Sequence, residues 1–381
     1  MDFSFTEEQI ALKKELTNFA KNELNENMLE RDKAGEFSRE NWKKCAEIGV
    51  LGLPFPEKFG GSDADIITTA MAMEGLGYGC RDNGLLFGIN AQMWAVQTPI
   101  LEFGAPEQQD KYLAALIRGD IIGAHGMSEP DSGSDAFNMN TTAEKKGDKY
   151  VLNGSKTFVS NGPSADVFVV FATLDKSKGF MGVTAFLVDR DTPGMRVGPN
   201  MSKMGLKTST ISELFFDDCE IPASCLLGGE GKGANVFNAS MEWERASILA
   251  NYVGAMEFQI ERCVKYARER KQFGKPISKF QTISNRIVDM RLRLETARLL
   301  LYKVAWTKKE FGKCPMEAAL AKLYLSESFV ESSLDAVRVF GGYGFMSEYE
   351  LERDLRDSVG SILYSGTSDI QRNIVARHMR L

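Results

Sequence analysis

GANVFNASMEWERASILANYVGAMEFQIERCVKYARERKQFG, residues 233–274, sets the reading of the chain. Phe237, Met241, Ile248, Leu249, Val253, Met256, Ile260 and Val264 recur at helical spacing, which predicts a helix over 233–270. Glu244 lies seven residues after Phe237, three after Met241 and four before Ile248, so it projects from the apolar face. Arg245 shares that stripe. A carboxylate against an apolar wall has its charged form disfavoured and its pKa raised, which suits a general base at neutral pH. The competing reading is a ragged stripe from which Glu244 reaches water or a distant Lys.

Around this segment the character of the chain changes twice. Residues 1–120 read as a helical domain: Thr6 and Gln9 form a capping-box pattern, and Leu12, Leu16, Phe19 and Ala20 follow on one face. Residues 121–230 read as β, with Tyr150–Leu152, Val167–Ala172, Val183–Val188 and Leu214–Phe216 as apolar runs between turn residues. Asn153-Gly154 reads as a hairpin turn. Residues 231–381 return to helical periodicity, with blocks at 233–270, 280–312, 315–340 and 366–379. Helix, then sheet, then helix is not a βαβ alternation, so a Rossmann arrangement is not expected.

Composition narrows the function. The chain has 381 residues, 43% hydrophobic and 26% charged, as in ordinary globular proteins of two or three domains. A net charge of −6 gives no footprint for nucleic acid. No apolar run approaches membrane-spanning length, and the acidic start MDFSFTEEQ is unlike a signal peptide. Six cysteines show no CxxC pair, and two histidines, His125 and His378, rule out a His-rich metal site. The expectation is a reduced, cytoplasmic protein with no metal.

Two glycine clusters, Gly229–Gly233 and Gly341–Gly344, lack the standard nucleotide spacings. MSEPDSGSD at Met127–Asp135 packs short hydroxyl and acidic side chains with Pro and Gly, suited to exposing backbone N–H groups; composition alone reads it as a surface turn. NGSKTFVSNG at Asn153–Gly162 sets Phe158 and Ser160 two apart on one strand face.

Together with ERKQFGKPI at Glu269–Ile277, FGGYGF at Phe340–Phe345 and YSGTSDIQRNIVAR at Tyr364–Arg377, these segments resemble the acyl-CoA dehydrogenase family across essentially the whole chain. The resemblance implies a mainly α fold with a central β domain: an N-terminal helical domain, a middle β-barrel-like domain and a C-terminal four-helix bundle. It implies a homotetramer binding FAD at subunit interfaces. On that basis His125, Met127 and Ser128 would line the flavin, with Ser134 near the thioester tail, and Phe158 and Ser160 would meet the isoalloxazine. Arg270, Gln272, Phe273, Ile277 and Phe280 would reach a neighbouring subunit's FAD, Arg338 and Gly342 its pyrophosphate, and Thr367 and Asp369 its adenosine side. Arg338 and Asp369 stand where the family usually has Gln.

A further departure bears on mechanism. Most members carry the catalytic Glu immediately before the Gly-Thr of the last motif, and this chain has Ser365 there. In some branches the base sits instead on the earlier helix, just before an Arg, which is Glu244 followed by Arg245. The resemblance implies α,β-dehydrogenation of an acyl thioester with Glu244 as base, the Ser365 backbone N–H as a donor to the thioester oxygen, and Arg245, Tyr364 and Gly366 at the substrate. Ser365 and the MEWERAS context look most like the branch that oxidises prolyl thioesters on carrier proteins. Residues 262–279 hold seven Lys/Arg against one acid, Glu269, either a face for an acidic carrier protein or an ordinary solvated one. Bulky Trp94 and Trp243 would shorten the acyl pocket. The alternatives are a short- or branched-chain acyl-CoA dehydrogenase and a catalytically silent flavin-binding scaffold.

Overall fold

The computed structural model describes residues 4–381. Its first third is helical: α1 (Glu7–Glu23), α2 (Met28–Ala34), α3 (Arg39–Glu47), α4 (Ile66–Gly79), α5 (Asn83–Gln92), α6 (Thr98–Phe103) and α7 (Pro106–Ile117). The Thr6 side chain accepts from the Gln9 N–H while the Gln9 side chain accepts from the Thr6 N–H, so the predicted capping box forms and satisfies two orphan donors. A π-helical turn, Met93–Gln97, joins α5 to α6 and carries Trp94.

The middle of the chain supplies β1 (Gly123–Gly126), β2 (Thr142–Lys146), β3 (Lys149–Ser160), β4 (Val167–Thr173), β5 (Val183–Asp189), β6 (Met195–Val197), β7 (Ile211–Pro222) and β8 (Leu226–Leu227). They form one sheet in the order β6-β7-β3-β2-β4-β5-β8, with β1 parallel to β4. All seven residues of β4 are buried, which accounts for its unbroken apolar run: both faces are covered.

Asn153-Gly154 is not a hairpin turn. It lies inside β3 at a register shift against β7, and the turn that joins β2 to β3 is Gly147-Asp148. The Asn153 side chain pairs with Asp218 across the ladder, and Gly154 (φ 138°) lies against Thr141, where a Cβ would clash. The same residue types that make a tight turn also make a bulge, and only strand pairing distinguishes them. A second shift between Lys156 and Val159 breaks the simple alternation over 156–160: Lys156 and Thr157 are both buried, while Phe158 adopts φ 55° and is 65% exposed.

The C-terminal part comprises α8 (Gly233–Ser247), α9 (Ala250–Glu269), a short arm with β9 (Lys271–Gln272) and β10 (Lys275–Pro276), then α10 (Gln281–Phe311), α11 (Pro315–Phe340), α12 (Leu351–Ser361) and α13 (Ser368–His378). The single helix expected over 233–270 is thus two, broken at Ile248-Leu249 directly after the Glu244 turn. The break coincides with a close helix crossing. A Cβ on Gly77 of α4 would collide with the Asn251 carbonyl, and one on Gly254 of α9 with the Glu74 carbonyl, so two glycines let α4 and α9 touch backbone to backbone. Periodicity does not reveal α12, whose arginines are paired with acids: Arg353 with Glu350 just before the helix, and Arg356 with Glu352 and with Asp32 of α2. One contiguous apolar core runs from Leu16 of α1 through β4 and β5 to Leu351 of α12.

Candidate active site

Glu244 is buried on the last turn of α8 and faces the loop between α12 and α13. Its Oε1 accepts a short hydrogen bond from Ser365 Oγ. Burial raises the Glu244 pKa, an effect only partly offset by the Ser365 hydroxyl and by the charges of Arg245 and Lys322. No other described group bonds to the carboxylate, so Oε2 is left for an incoming proton.

The loop itself is unusual. Ser365 (φ 56°) and Gly366 (φ 87°) both adopt positive φ, a sparsely populated region for a serine. Their carbonyls are tied back: Ser365 O accepts from Arg245 Nε at 3.1 Å and Gln371 Nε2 at 3.1 Å, and Gly366 O accepts from Lys322 Nζ at 2.8 Å and Gln371 Nε2 at 2.8 Å. Among the described residues, the backbone N–H groups of Ser365, Gly366 and Thr367 donate to no protein acceptor. A buried carboxylate beside unpaired N–H donors can take a proton from carbon and stabilise the oxyanion that results. The structure therefore brings Glu244, Arg245, Ser365 and Gly366 together. Tyr364 is in the same loop, but its hydroxyl donates to Tyr252 at 3.0 Å and its ring packs on Phe87.

The residues read as flavin contacts fall into two groups. His125 and Met127 follow one another along and just after β1, while Phe158 and Ser160 lie on β3. His125 packs between Phe171 and Phe237, and its Nε2 is buried with no partner. Burial, with the Lys156 charge nearby, pushes the His125 pKa down to about 4, so the ring is neutral. Ser128 O accepts from the Thr157 N–H at 2.9 Å, which stitches the Met127–Asp135 loop to β3. Ser134 sits exposed farther along that loop.

The second group lies at the other end of α9. Arg270, Gln272, Ile277 and Gly342 line a groove of about 600 Å³, floored by Phe340 and Tyr266. Phe273 at the tip of the arm is 93% exposed and meets Phe280 edge-on. Twenty residues of α9 carry the chain about 29 Å onward from the Glu244 end. Three residues expected at the cofactor also have partners within the chain. Arg338 is paired with Asp335, which also holds Arg286 and Arg293. Thr367 caps α13 by accepting from the Ile370 N–H, and Asp369 is paired with Arg372 on the surface.

Sequence reasoning overlooked two lysines. Lys156, fully buried, donates to Glu129 Oε1 at 2.7 Å and to Met127 O at 3.3 Å, and so braces the loop behind Met127 and Ser128. Lys322 of α11 is also fully buried and reaches Gly366 O. A Lys within an apolar helical stretch, ALAKLYL, is the signal that was available.

Comparison with known proteins shows the family. The acyl-CoA dehydrogenase N-terminal, middle and C-terminal domain models match residues 6–120, 124–219 and 231–380. The chain belongs to the acyl-CoA dehydrogenase family. Among its relatives is an L-prolyl-[peptidyl-carrier protein] dehydrogenase of Pseudomonas fluorescens, 43% identical over 91% of each chain. The crystal structure of the prolyl acyl carrier protein oxidase AnaB matches with TM-score 0.98 and 48% identity, covering 99% of this chain and 100% of that one. PigA with FAD and proline matches with TM-score 0.97 and 41% identity over the whole of both chains. The expected fold class, a mainly α chain with a central β domain, is the one observed.

Proposed function

We propose that this protein is an FAD-dependent dehydrogenase of an aminoacyl thioester, L-prolyl on a carrier protein. The observation that carries the reading is the buried Glu244 carboxylate set against a loop with unpaired N–H donors. The prolyl assignment follows the two prolyl-carrier relatives and PigA, which was solved with FAD and proline.

The residues present suit a flavin. His125 offers a buried, unpartnered Nε2, Phe158 holds an exposed ring at a positive φ, and Ser128 and Ser160 supply hydroxyls on the same β domain. The Arg270–Gly342 groove carries a cation beside glycine backbone, as a pyrophosphate requires. Because that groove lies the length of α9 beyond Glu244, it fits a cofactor held mainly by a neighbouring subunit, which supports a homotetramer. Bound FAD supplies the acceptor for the β-hydride.

The chain's own groups do the rest. Glu244 Oε2 removes the α-proton, and Ser365 Oγ holds Oε1 so that the carboxylate cannot rotate away. Negative charge then develops on the thioester oxygen, where the Ser365 N–H is a preorganised donor. Trp94 stacks at 5.7 Å on Trp243, the residue that precedes the base; Trp243 Nε1 is held by Glu102 and Trp94 Nε1 by Asn90. Two fixed indoles favour a short acyl group over a long one. Among the described residues no helix is long and apolar enough to cross a membrane, and all six cysteines are free, which supports a reducing cytoplasm as the location.

The test is anaerobic flavin reduction against prolyl-carrier protein, butyryl-CoA and a long-chain acyl-CoA. The prolyl thioester should bleach the flavin fastest. Faster bleaching by either CoA ester would overturn the substrate assignment, and a protein with no affinity for FAD would overturn the whole reading.

A further inference from the structure

Lys322 is a buried ammonium with an unusual set of neighbours. It projects from the middle of α11, is fully buried, and makes no ion pair with any described carboxylate. A lone buried charge is costly and is normally replaced by an apolar residue unless it performs a task. Its hydrogen bond goes to one atom, the Gly366 carbonyl oxygen at 2.8 Å, on the loop that carries Ser365. Burial, with the Arg245 charge adding to it, pushes the Lys322 pKa down to about 7.

The geometry of the loop shows what is gained. A trans peptide points its N–H opposite to its C=O. Arg245 and Gln371 draw the Ser365 carbonyl back, and Lys322 and Gln371 draw the next carbonyl back. Both residues are held at positive φ, and neither has another backbone bond to keep it there. Two successive peptide units are thereby turned with their oxygens toward Arg245, Lys322 and Gln371 and their N–H groups, those of Gly366 and Thr367, the other way. Released from these anchors, Ser365 would relax toward the αR or β regions and carry its hydroxyl away from Glu244.

We propose that Lys322, with Gln371, is a positioning residue for the reaction: it clamps the Tyr364–Thr367 loop in the conformation that holds the Ser365 hydroxyl on Glu244 and turns the Gly366 and Thr367 amides away from the clamped oxygens. The inference rests on the dehydrogenase reading above. Lys322 does not touch the reacting atoms. It acts through the Gly366 carbonyl, and its charge, together with the Ser365 hydrogen bond and the Arg245 charge, also favours ionised Glu244.

The test compares wild type with Lys322→Met, a flexible apolar replacement of similar length, as purified FAD-loaded protein. Expected for Lys322→Met are unchanged flavin content, an anaerobic flavin-reduction rate lower by about 10²-fold, as for a reacting group displaced by about 1 Å, and little change in substrate affinity. The acid limb of the rate profile should move to higher pH. A readout independent of turnover is ionisation of a bound β-ketoacyl pantetheine thioester, whose enolate absorbance should need a higher pH to appear. A purely structural Lys322 would instead lower the melting temperature or flavin content and leave the rate per flavin and the enolate titration at wild-type values; that result overturns the inference. If Lys322→Met does not fold, Gln371→Met removes a bond from each carbonyl and should slow reduction severalfold with the same alkaline shift. Wild-type behaviour of that variant also overturns the inference. Failure of wild-type protein to be reduced by any thioester would remove the dehydrogenase reading itself, a separate outcome.

Discussion

Two buried glutamates in this molecule have opposite surroundings. Glu74 of α4 is fully buried, yet its carboxylate accepts from Lys13 at 2.8 Å, Arg298 at 2.9 Å and Tyr302 at 2.6 Å. Burial alone would raise its pKa, but the Arg298 and Lys13 charges and these bonds outweigh it, and the pKa falls below the usual value. Glu244 has one serine hydroxyl, and its pKa rises. Glu74 cross-links α1, α4 and α10; Glu244 is left chemically unfinished. Burial thus says nothing of role until the partners are counted.

The comparison breaks if the two residues respond alike to Gln substitution. Glu244→Gln should lower the rate of substrate-driven flavin reduction by about 10³–10⁴-fold, the upper end for loss of a general base. It should not lower stability. The folded-state pKa of Glu244 is raised, so the ionised carboxylate weakens the fold above that pKa, and the amide should melt at or above wild type at neutral pH. Wild-type reduction by this variant would transfer the role of base to another group.

Moving the carboxylate sharpens the point. Glu244→Gly combined with Ser365→Glu should recover part of the activity lost by Glu244→Gly alone. Position 365 already holds a non-glycine residue at positive φ, so a Glu there adds little new backbone strain. Recovery should remain at least about 10²-fold below wild type, because displacement by about 1 Å has that effect. No gain over Glu244→Gly would mean that position 365 cannot aim a carboxylate at the α-carbon.

Glu74→Gln should do the reverse. It leaves Lys13 and Arg298 short of a partner, although Arg298 keeps Glu257, and about 2–3 kcal/mol of stability should be lost at pH 7. Because the folded pKa of Glu74 is depressed, its contribution is present above the unfolded pKa and fades as pH falls through the folded one, so the gap between variant and wild type should close in acid. Denaturant titrations at neutral and acid pH check both statements, and the rate per bound flavin should be unchanged.

The smallest expected effect belongs to Ser365→Ala. It removes the hydroxyl that lowers the Glu244 pKa and keeps the backbone N–H, so the acid limb of the reduction rate should shift to higher pH with a loss of only severalfold at pH 7. An acid limb shifted to lower pH would contradict the hydrogen bond to Oε1.

Much of this was legible in the residues themselves. The stripe from Phe237 to Val264 placed Glu244 on an inward face because side-chain direction in a helix follows from sequence spacing alone. The five ordered motifs carried the family, and with it the helix–sheet–helix architecture. Local pattern failed where pairing decides the outcome. Asn153-Gly154 became a bulge because β7 lies beside it, and α12 was hidden because its Arg356 is paired with Glu352 and with Asp32 of the distant α2.

The sequence by itself determined which groups exist and which face each helix buries, since those depend on covalent order and a fixed period. It supplied the carboxylate at 244 and the serine at 365. Only the tertiary structure decided what Glu244 would meet: that α11 sends Lys322 to Gly366 O, that α8 sends Arg245 to Ser365 O, and that the loop keeps two successive positive φ angles with the Ser365, Gly366 and Thr367 N–H groups unpaired. These contacts join residues 44 and 120 positions apart. No spacing rule connects such residues; the packing of α8, α11 and α13 against one another brings them together.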